Sequence, residues 1–216
     1  PLLGRHPDGG RMVVSATRRL LSDPDRADVA TQSVYGIHDR DSAEPGVPDR
    51  SALLQQSIDP VAVGTSAGRQ LWTSTGHALQ TPAEAQAKRG WYLDLPVAGE
   101  RVIRNPGEYE GKLVDILSMA PPAAFRLPML PESCELPAVL HFRTTLNALD
   151  GARPRSTLYG DAGSTLNASR IELPSEPSVQ VKRGDQMRTL GLDGKKDAPR
   201  HRLGMVAGRA GWRQLH

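Results

Sequence analysis

Apolar and polar positions alternate along this chain in short runs, and glycine (21) or proline (18) cuts in roughly every eight to fifteen residues, too often for long helices. The pattern predicts a mostly β chain. Period-two stretches rich in β-branched and aromatic residues place strands at Met12 to Leu21, Thr31 to His38, Leu53 to Ser57, Gln70 to Thr75, Gly90 to Leu95 and Glu100 to Arg104. Further strands are expected at Leu113 to Ser118, Ala138 to Leu149, Ser169 to Leu173, Ser178 to Val181 and Gly211 to Leu215. In "GWYLDLPVAGERVIRNP", Trp91, Leu93 and Leu95 fall on one face, Pro96 to Gly99 turn, and Arg101 to Ile103 return, so a hairpin is predicted. "LNALDGARP" runs an alternating strand into an Asp150-Gly151 turn, with Pro154 opposing continued pairing, and "GLDGKKDAP" repeats that grammar at Asp193-Gly194. The one helix candidate is "QTPAEAQAKRGW": Thr81 can cap, Pro82 suits the first turn, and Glu84 stands three past the cap.

Two long polar or proline-rich excursions, Asp39 to Arg50 and Ala120 to Glu135, read as loops. Short strands with long rim loops suit a propeller or a decorated sandwich better than a compact barrel. A length of 216 residues with 38% hydrophobic residues supports one core, and no run approaches the roughly 18 apolar residues of a spanning helix.

Charge and chemistry narrow the function classes. The net charge is +3, basic residues are scattered, and aromatics make up 4%, which argues against nucleic-acid binding. A lone cysteine, Cys134, excludes an internal disulfide and zinc sites built from cysteine pairs; a small part-buried side chain is the plain expectation for it. Asp23, Asp25 and Asp28 in "SDPDRAD" approach the composition of a calcium loop but lack its mid-loop glycine and terminal glutamate, so a solvated turn is expected there. Asp39 and Asp41 read as turn residues. His6, His38, His77, His141, His201 and His216 show no metal-pair or triad spacing. Gly160 to Ser164, "GDAGS", lacks the strand and helix of a nucleophile elbow, and Ser74, Thr75 and His77 are near one another only in sequence. Arg183-Gly184-Asp185 matches an integrin-recognised tripeptide but equally fits a strand-ending turn, and Asn167-Ala168-Ser169 is a sequon expected in a loop.

Three stretches, "VVSATRRLLSDPDRADVATQSVYGIHDR", "GWYLDLPVAGERVI" and "GRAGWRQLH", resemble in that order the end of the PilY-type proteins of bacterial type IV pili. The match runs from about residue 11 to residue 216 and is densest in the first half. His38 stands where that family usually has tryptophan, implying looser packing, and Pro121 to Leu140 keeps only Cys134 of a Cys-x-x-Gly-Gly type loop. The resemblance implies an all-β fold, a partial β-propeller-like domain formed by carboxy-terminal blades, with residues 1–216 expected to be a fragment of a longer chain.

It further implies a non-enzymatic pilus assembly and adhesion factor. Such a protein is exported to the cell surface, pilus tip, periplasm or outer membrane, meets pilins or minor pilins and a host or abiotic surface, and supports extension and retraction control and twitching motility. No cofactor, metal or catalytic residue is expected in this chain, and the resemblance places a calcium loop upstream of it. Two readings stand beside this one. A lectin-like or sensory propeller would present Trp72 or Trp91 to a ligand. A quinone-dependent dehydrogenase propeller is hinted at by the blade-like turn "LNALDGARP", though one cysteine cannot form the vicinal disulfide common in such enzymes.

Overall fold

The structure, a computed structural model, describes residues 2–17, 25, 28–40, 46, 48–66, 68–76, 87–109, 113–121, 139–154, 158–159, 167–175, 177–183, 186–191 and 196–197. The strands are β1 (Leu2–Arg5), β2 (Arg11–Ala16), β3 (Ser33–Asp39), β4 (Leu54–Gln56), β5 (Gly64–Ser66), β6 (Arg69–Trp72), β7 (Gly90–Asp94) and β8 (Arg101–Val102). They continue with β9 (Gly107–Tyr109), β10 (Leu113–Ala120), β11 (Leu140–Asn147), β12 (Arg170–Leu173), β13 (Pro177–Arg183), β14 (Gln186–Gly191) and β15 (Lys196–Asp197), with a short 3-10 turn at Arg50–Ala52. The expected strand at Gly211 to Leu215, the Asp193-Gly194 turn, and the helix candidate's residues 80–86 lie outside the described residues. From Gly90 on, that helix candidate is strand.

Three sheets result. The first has the order β1-β2-β3-β7-β4, the second β5-β6-β12-β11-β10-β8 with β9 also on β10, and the third β13-β14-β15. The chain crosses between the first two repeatedly, laying β4 in the first, β5 and β6 in the second, β7 in the first and β8 in the second. Two blade-like sheets therefore share one core without closing a ring among the described residues, which is an all-β, partial propeller-like arrangement.

The predicted hairpin over residues 90–103 does not form. Both edges of β7 are already occupied, antiparallel by β3 and parallel by β4, so the turn at 96–99 sends the chain to the other sheet, where β8 pairs β10. The turn itself is present, closed by the Glu100 N–H donating to the Val97 carbonyl at 2.9 Å. The face reading holds too, since Trp91, Leu93 and Leu95 are all buried.

Alternation sorts β3 in the same way: Val34, Gly36 and His38 point inward while Tyr35 and Ile37 are half-buried on the other face. Met12 and Val14 of β2 join them, and from the second sheet Val102, Val114, Ile116 and Leu146 complete the shared core. A second cluster, including Leu71, Leu117, Tyr159 and Ile171, covers the opposite face of the second sheet.

Trp91 is the residue around which the shared core is fitted. It is fully buried, stands opposite Gly36 in the β3–β7 register, and donates its indole N–H to the Ala148 carbonyl at 3.0 Å. A methyl group on Gly36 would lie 2.3 Å from the indole, and one on Gly151, in the turn after β11, 2.5 Å from its other side. Gly151 also has φ +68°, which penalises any side chain. The turn predicted at Asp150-Gly151 is therefore real and doubles as half of a slot for the indole.

Replacing Gly36 or Gly151 by Ala should cost about 1–3 kcal/mol through overpacking. Trp91→Ala should cost about 3–5 kcal/mol through the cavity it leaves. Urea unfolding followed by far-UV circular dichroism measures both, and a midpoint unchanged by Gly36→Ala would contradict the slot.

A candidate interaction groove

Beyond the shared core, the inward face of the second sheet continues outward as a groove of about 470 Å³. Register assembles its floor: Arg170 of β12 stands opposite Trp72 of β6 and Thr144 of β11, while Phe142 stands opposite Glu172. Alternation thus puts Trp72, Phe142, Thr144, Arg170 and Glu172 on one face. Trp72 and Phe142 meet edge to face with centroids 5.8 Å apart. The walls come from the first sheet's connections, Ile58, Asp59 and Pro60 after β4 and Pro96 and Val97 after β7, with Leu140 at the mouth.

Arg170 is buried, and its charge is answered completely. Its two terminal nitrogens donate to the two carboxylate oxygens of Glu100 at 2.8 and 3.0 Å, and its guanidinium carbon lies 3.8 Å from the Phe142 ring centroid. Glu100, also fully buried, accepts in addition from the Ser118 hydroxyl and from the Val97 N–H. A buried ion pair satisfied at this many positions fixes geometry more than it adds stability. It clamps the 96–99 turn, and with it the groove wall, to the floor. On the opposite face of the sheet, Arg143 binds Asp115 at 2.8 Å, and Thr145 links Asp115 to Tyr159.

A smaller cavity of about 170 Å³ lies at the other end of the first sheet, by the β1–β2 turn, lined in part by His6, His38, Lys88 and Asp150. His38 is not loosely packed, contrary to the expectation from its replacing a tryptophan. Its ring stacks on His6 at 3.6 Å, and its Nε2 lies 2.8 Å from the Gly9 carbonyl, so a polar stack fills the volume an indole would take. Burial and then the neighbouring His38 hold the His6 imidazole below its ordinary value, with Asp8 opposing them and Arg40 adding to them.

The remaining sequence candidates divide clearly. The acidic turn is not simply solvated: Asp25 is buried, and Asp28 receives the Ala30 N–H at 2.8 Å and faces the buried Arg101 at 3.2 Å. Those two contacts hold the Asp28 carboxyl below the usual range, the Ala30 bond contributing most. The turn's acid serves as counter-ion to a buried guanidinium.

Asp23 and Asp41 lie outside the described residues, and Asp39 is the last residue of β3. Ser74 and Thr75 do not face a base among the described residues; Ser74 meets the Ser169 hydroxyl at 2.9 Å and Thr75 donates to Gln56 at 2.7 Å, while His77 is not described. The sequon is not on a free loop, because Ser169 is fully buried and its N–H and carbonyl both bond within the second sheet. Arg183 ends β13 opposite Gln186, which begins β14, so the tripeptide does fall at a strand-ending reversal, with residues 184–185 outside the description. Gly160 to Ser164, Cys134, His201 and His216 are likewise outside it. Trp91 cannot present itself to a ligand because it is fully buried, whereas Trp72 is half-buried in the groove.

One surface cluster has no local signal in the sequence. On the outer face of the first sheet, Arg50 lies 4.4 Å from the Tyr92 ring centroid and 2.7 Å from an Asp94 oxygen, and donates to the Tyr35 hydroxyl at 2.9 Å. These groups satisfy one another. Among the described residues, no group of three or more His, Cys, Asp or Glu side chains is placed to hold a metal ion, and no helix is long and apolar enough to cross a membrane.

No protein-family model and no curated protein matches this chain. A solved structure does: the C-terminal domain of Pseudomonas aeruginosa PilY1 superimposes with a TM-score of 0.69 over 91% of this chain. The fold is that of the PilY1 C-terminal domain. Sequence identity is 20%, and the match takes in 43% of the solved chain, so this chain spans less than half the length of that relative. The likeness to PilY-type proteins carried by the quoted motifs and the likeness of the coordinates thus meet on the same kind of protein.

For the His6–His38 stack the sign of the pH effect is fixed. An imidazole whose folded-state value is depressed leaves stability intact above the ordinary histidine value of 6.5 and lowers it progressively as pH falls from there towards the folded-state value. The melting temperature should therefore fall between about pH 7.5 and about pH 5.5, and His6→Phe, which keeps a stacked ring without a proton to gain, should reduce that fall. Equal falls in both proteins would contradict the assignment.

Proposed function

We propose that this chain is a non-enzymatic module of a type IV pilus assembly and adhesion protein, working at the cell surface, pilus tip or periplasm through contacts with pilins or minor pilins. The observation that carries the reading is the structural match of 91% of this chain to the PilY1 C-terminal domain. The character of the molecule supports it. The buried polar side chains of the two main sheets are engaged in ion pairs and cross-strand hydrogen bonds, as in Arg170 with Glu100, Arg143 with Asp115, and Ser74 with Ser169. What is offered to the outside is a groove and strand rims. In this reading the chain carries out no reaction, needs no cofactor of its own, and supports extension, retraction control and attachment by holding other proteins.

A second reading, a lectin-like ligand-binding module, is favoured by one observation, the half-buried Trp72 in a groove of ligand size. The quinone-dependent dehydrogenase finds less support, because the turn that hinted at it, Asp150-Gly151, is occupied in holding Trp91.

Deleting residues 90–216 from the parent protein removes β7 of the first sheet and β8 to β12 of the second, and with them the groove floor. The deletion should abolish surface piliation or twitching, and the intact chain should capture pilin in a pull-down. Normal fibres and motility in the deletion strain would count against the pilus role, and a specific signal on a glycan array with no pilin capture would favour the second reading.

A further inference from the structure

The groove beside Trp72 carries an imbalance of charge. Its one guanidinium, Arg170, is fully matched by Glu100 beneath the floor. Its two outer carboxylates are not matched. Glu172, half-buried on the groove face of β12, has no hydrogen-bond or ion-pair partner among the described residues, and Asp59, exposed on the wall, accepts only the N–H of Val61 from its own loop. Both acids border apolar surface: Leu140 at the mouth is 41% exposed, and Pro96, Val97 and the half-buried Trp72 line the same space.

We propose that this groove receives a lysine or arginine side chain from an extended segment of a protein partner. Such side chains combine a long apolar stem with a cationic head, so the stem covers Leu140, Pro96 and Val97 while the head reaches Glu172 and Asp59 beside the indole of Trp72. The match is chemical at each end. An acidic partner would meet two like charges, and a purely apolar side chain would bury two carboxylates without a counter-ion. A neutral sugar would cover Trp72 but leave both charges unanswered. The volume exceeds that of one side chain, leaving room for the residues flanking the cation. That the occupant belongs to a protein rests on the function proposed above; the preference for a cation rests on the groove alone.

The full 216-residue chain allows the test. The probes are the Nα-acetyl methylamides of lysine, arginine and norleucine, with cellotetraose as a neutral glycan, and the readout is the indole N–H signal of Trp72, assigned with Trp72→Phe. The cationic probes should bind at least about fivefold more tightly than norleucine, and molar salt should erase most of that advantage. Glu172→Gln should reduce it by about threefold while leaving the melting temperature unchanged, because its carboxylate has no partner among the described residues. Equal binding of norleucine, no effect of Glu172→Gln, or a response to cellotetraose alone would overturn the proposal. A pilin pull-down separates it from the broader reading. If Glu172→Lys captures pilin as well as the unaltered chain does, the groove is not the pilin contact and the pilus role stands. If the unaltered chain captures none while the cationic probes still bind, the site stands and the pilus role falls.

Discussion

A single indole between two glycines holds the two main sheets in register. Trp91 belongs to β7 in the first sheet, yet its ring is enclosed on one side by Gly36 of β3 and on the other by Gly151, which follows β11 of the second sheet. Its N–H donates to Ala148, and close by Gln56 of β4 donates to the Asp150 carbonyl at 2.8 Å, so the turn after β11 is tied to the first sheet at two points. A tryptophan buries more apolar area than most side chains and also supplies one donor, which suits it to join a core to a backbone turn. Small residues on both sides are the geometric counterpart: an indole enters the interface only where the two neighbouring backbones carry no Cβ.

The other architectural requirement follows from the path of the chain. Because β4 to β8 alternate between sheets, the short connections near Ile58 and Val97 run across the interface, and each needs its polar groups answered there. The Glu100–Arg170 pair does this for the 96–99 turn, and the resulting fixed wall turns the end of the core into an open groove with aromatic, aliphatic and anionic surface. Fold and candidate site therefore share one cause. The sheets are interleaved, and the links between them cannot be buried completely.

Much of this was legible in the sequence, and the boundary of what was legible is physical. Strand positions and faces were readable because a period of two is a local signal; Val34, Gly36 and His38 on one side of β3 and Trp91, Leu93 and Leu95 on one side of β7 follow from it. The Asp150-Gly151 turn was readable because a positive φ selects glycine. Strand partners were not. A hairpin across residues 90–103 satisfies every local rule, and only the prior occupation of both edges of β7 by β3 and β4, distant in sequence, excludes it. The same holds for the ion pairs: Glu100 and Arg170 are seventy positions apart, and nothing near either residue names the other. Short strands such as β5, β8 and β15 carry too few residues to display a period at all. Of the candidate site, Trp72 was named from its exposure-prone chemistry, but its neighbours Phe142, Arg170 and Glu172 arise from register alone.

Steric fit between one indole and two Cβ-free positions sets the arrangement of the sheets, and a double-mutant cycle between Gly36→Ala and Trp91→Leu, read by equilibrium urea unfolding, measures that fit. The added methyl should be costly when the indole is present and nearly harmless when it is replaced by leucine, giving a coupling energy of about 1–3 kcal/mol. Additive effects of the two substitutions, with Gly36→Ala equally costly in both backgrounds, would contradict the account.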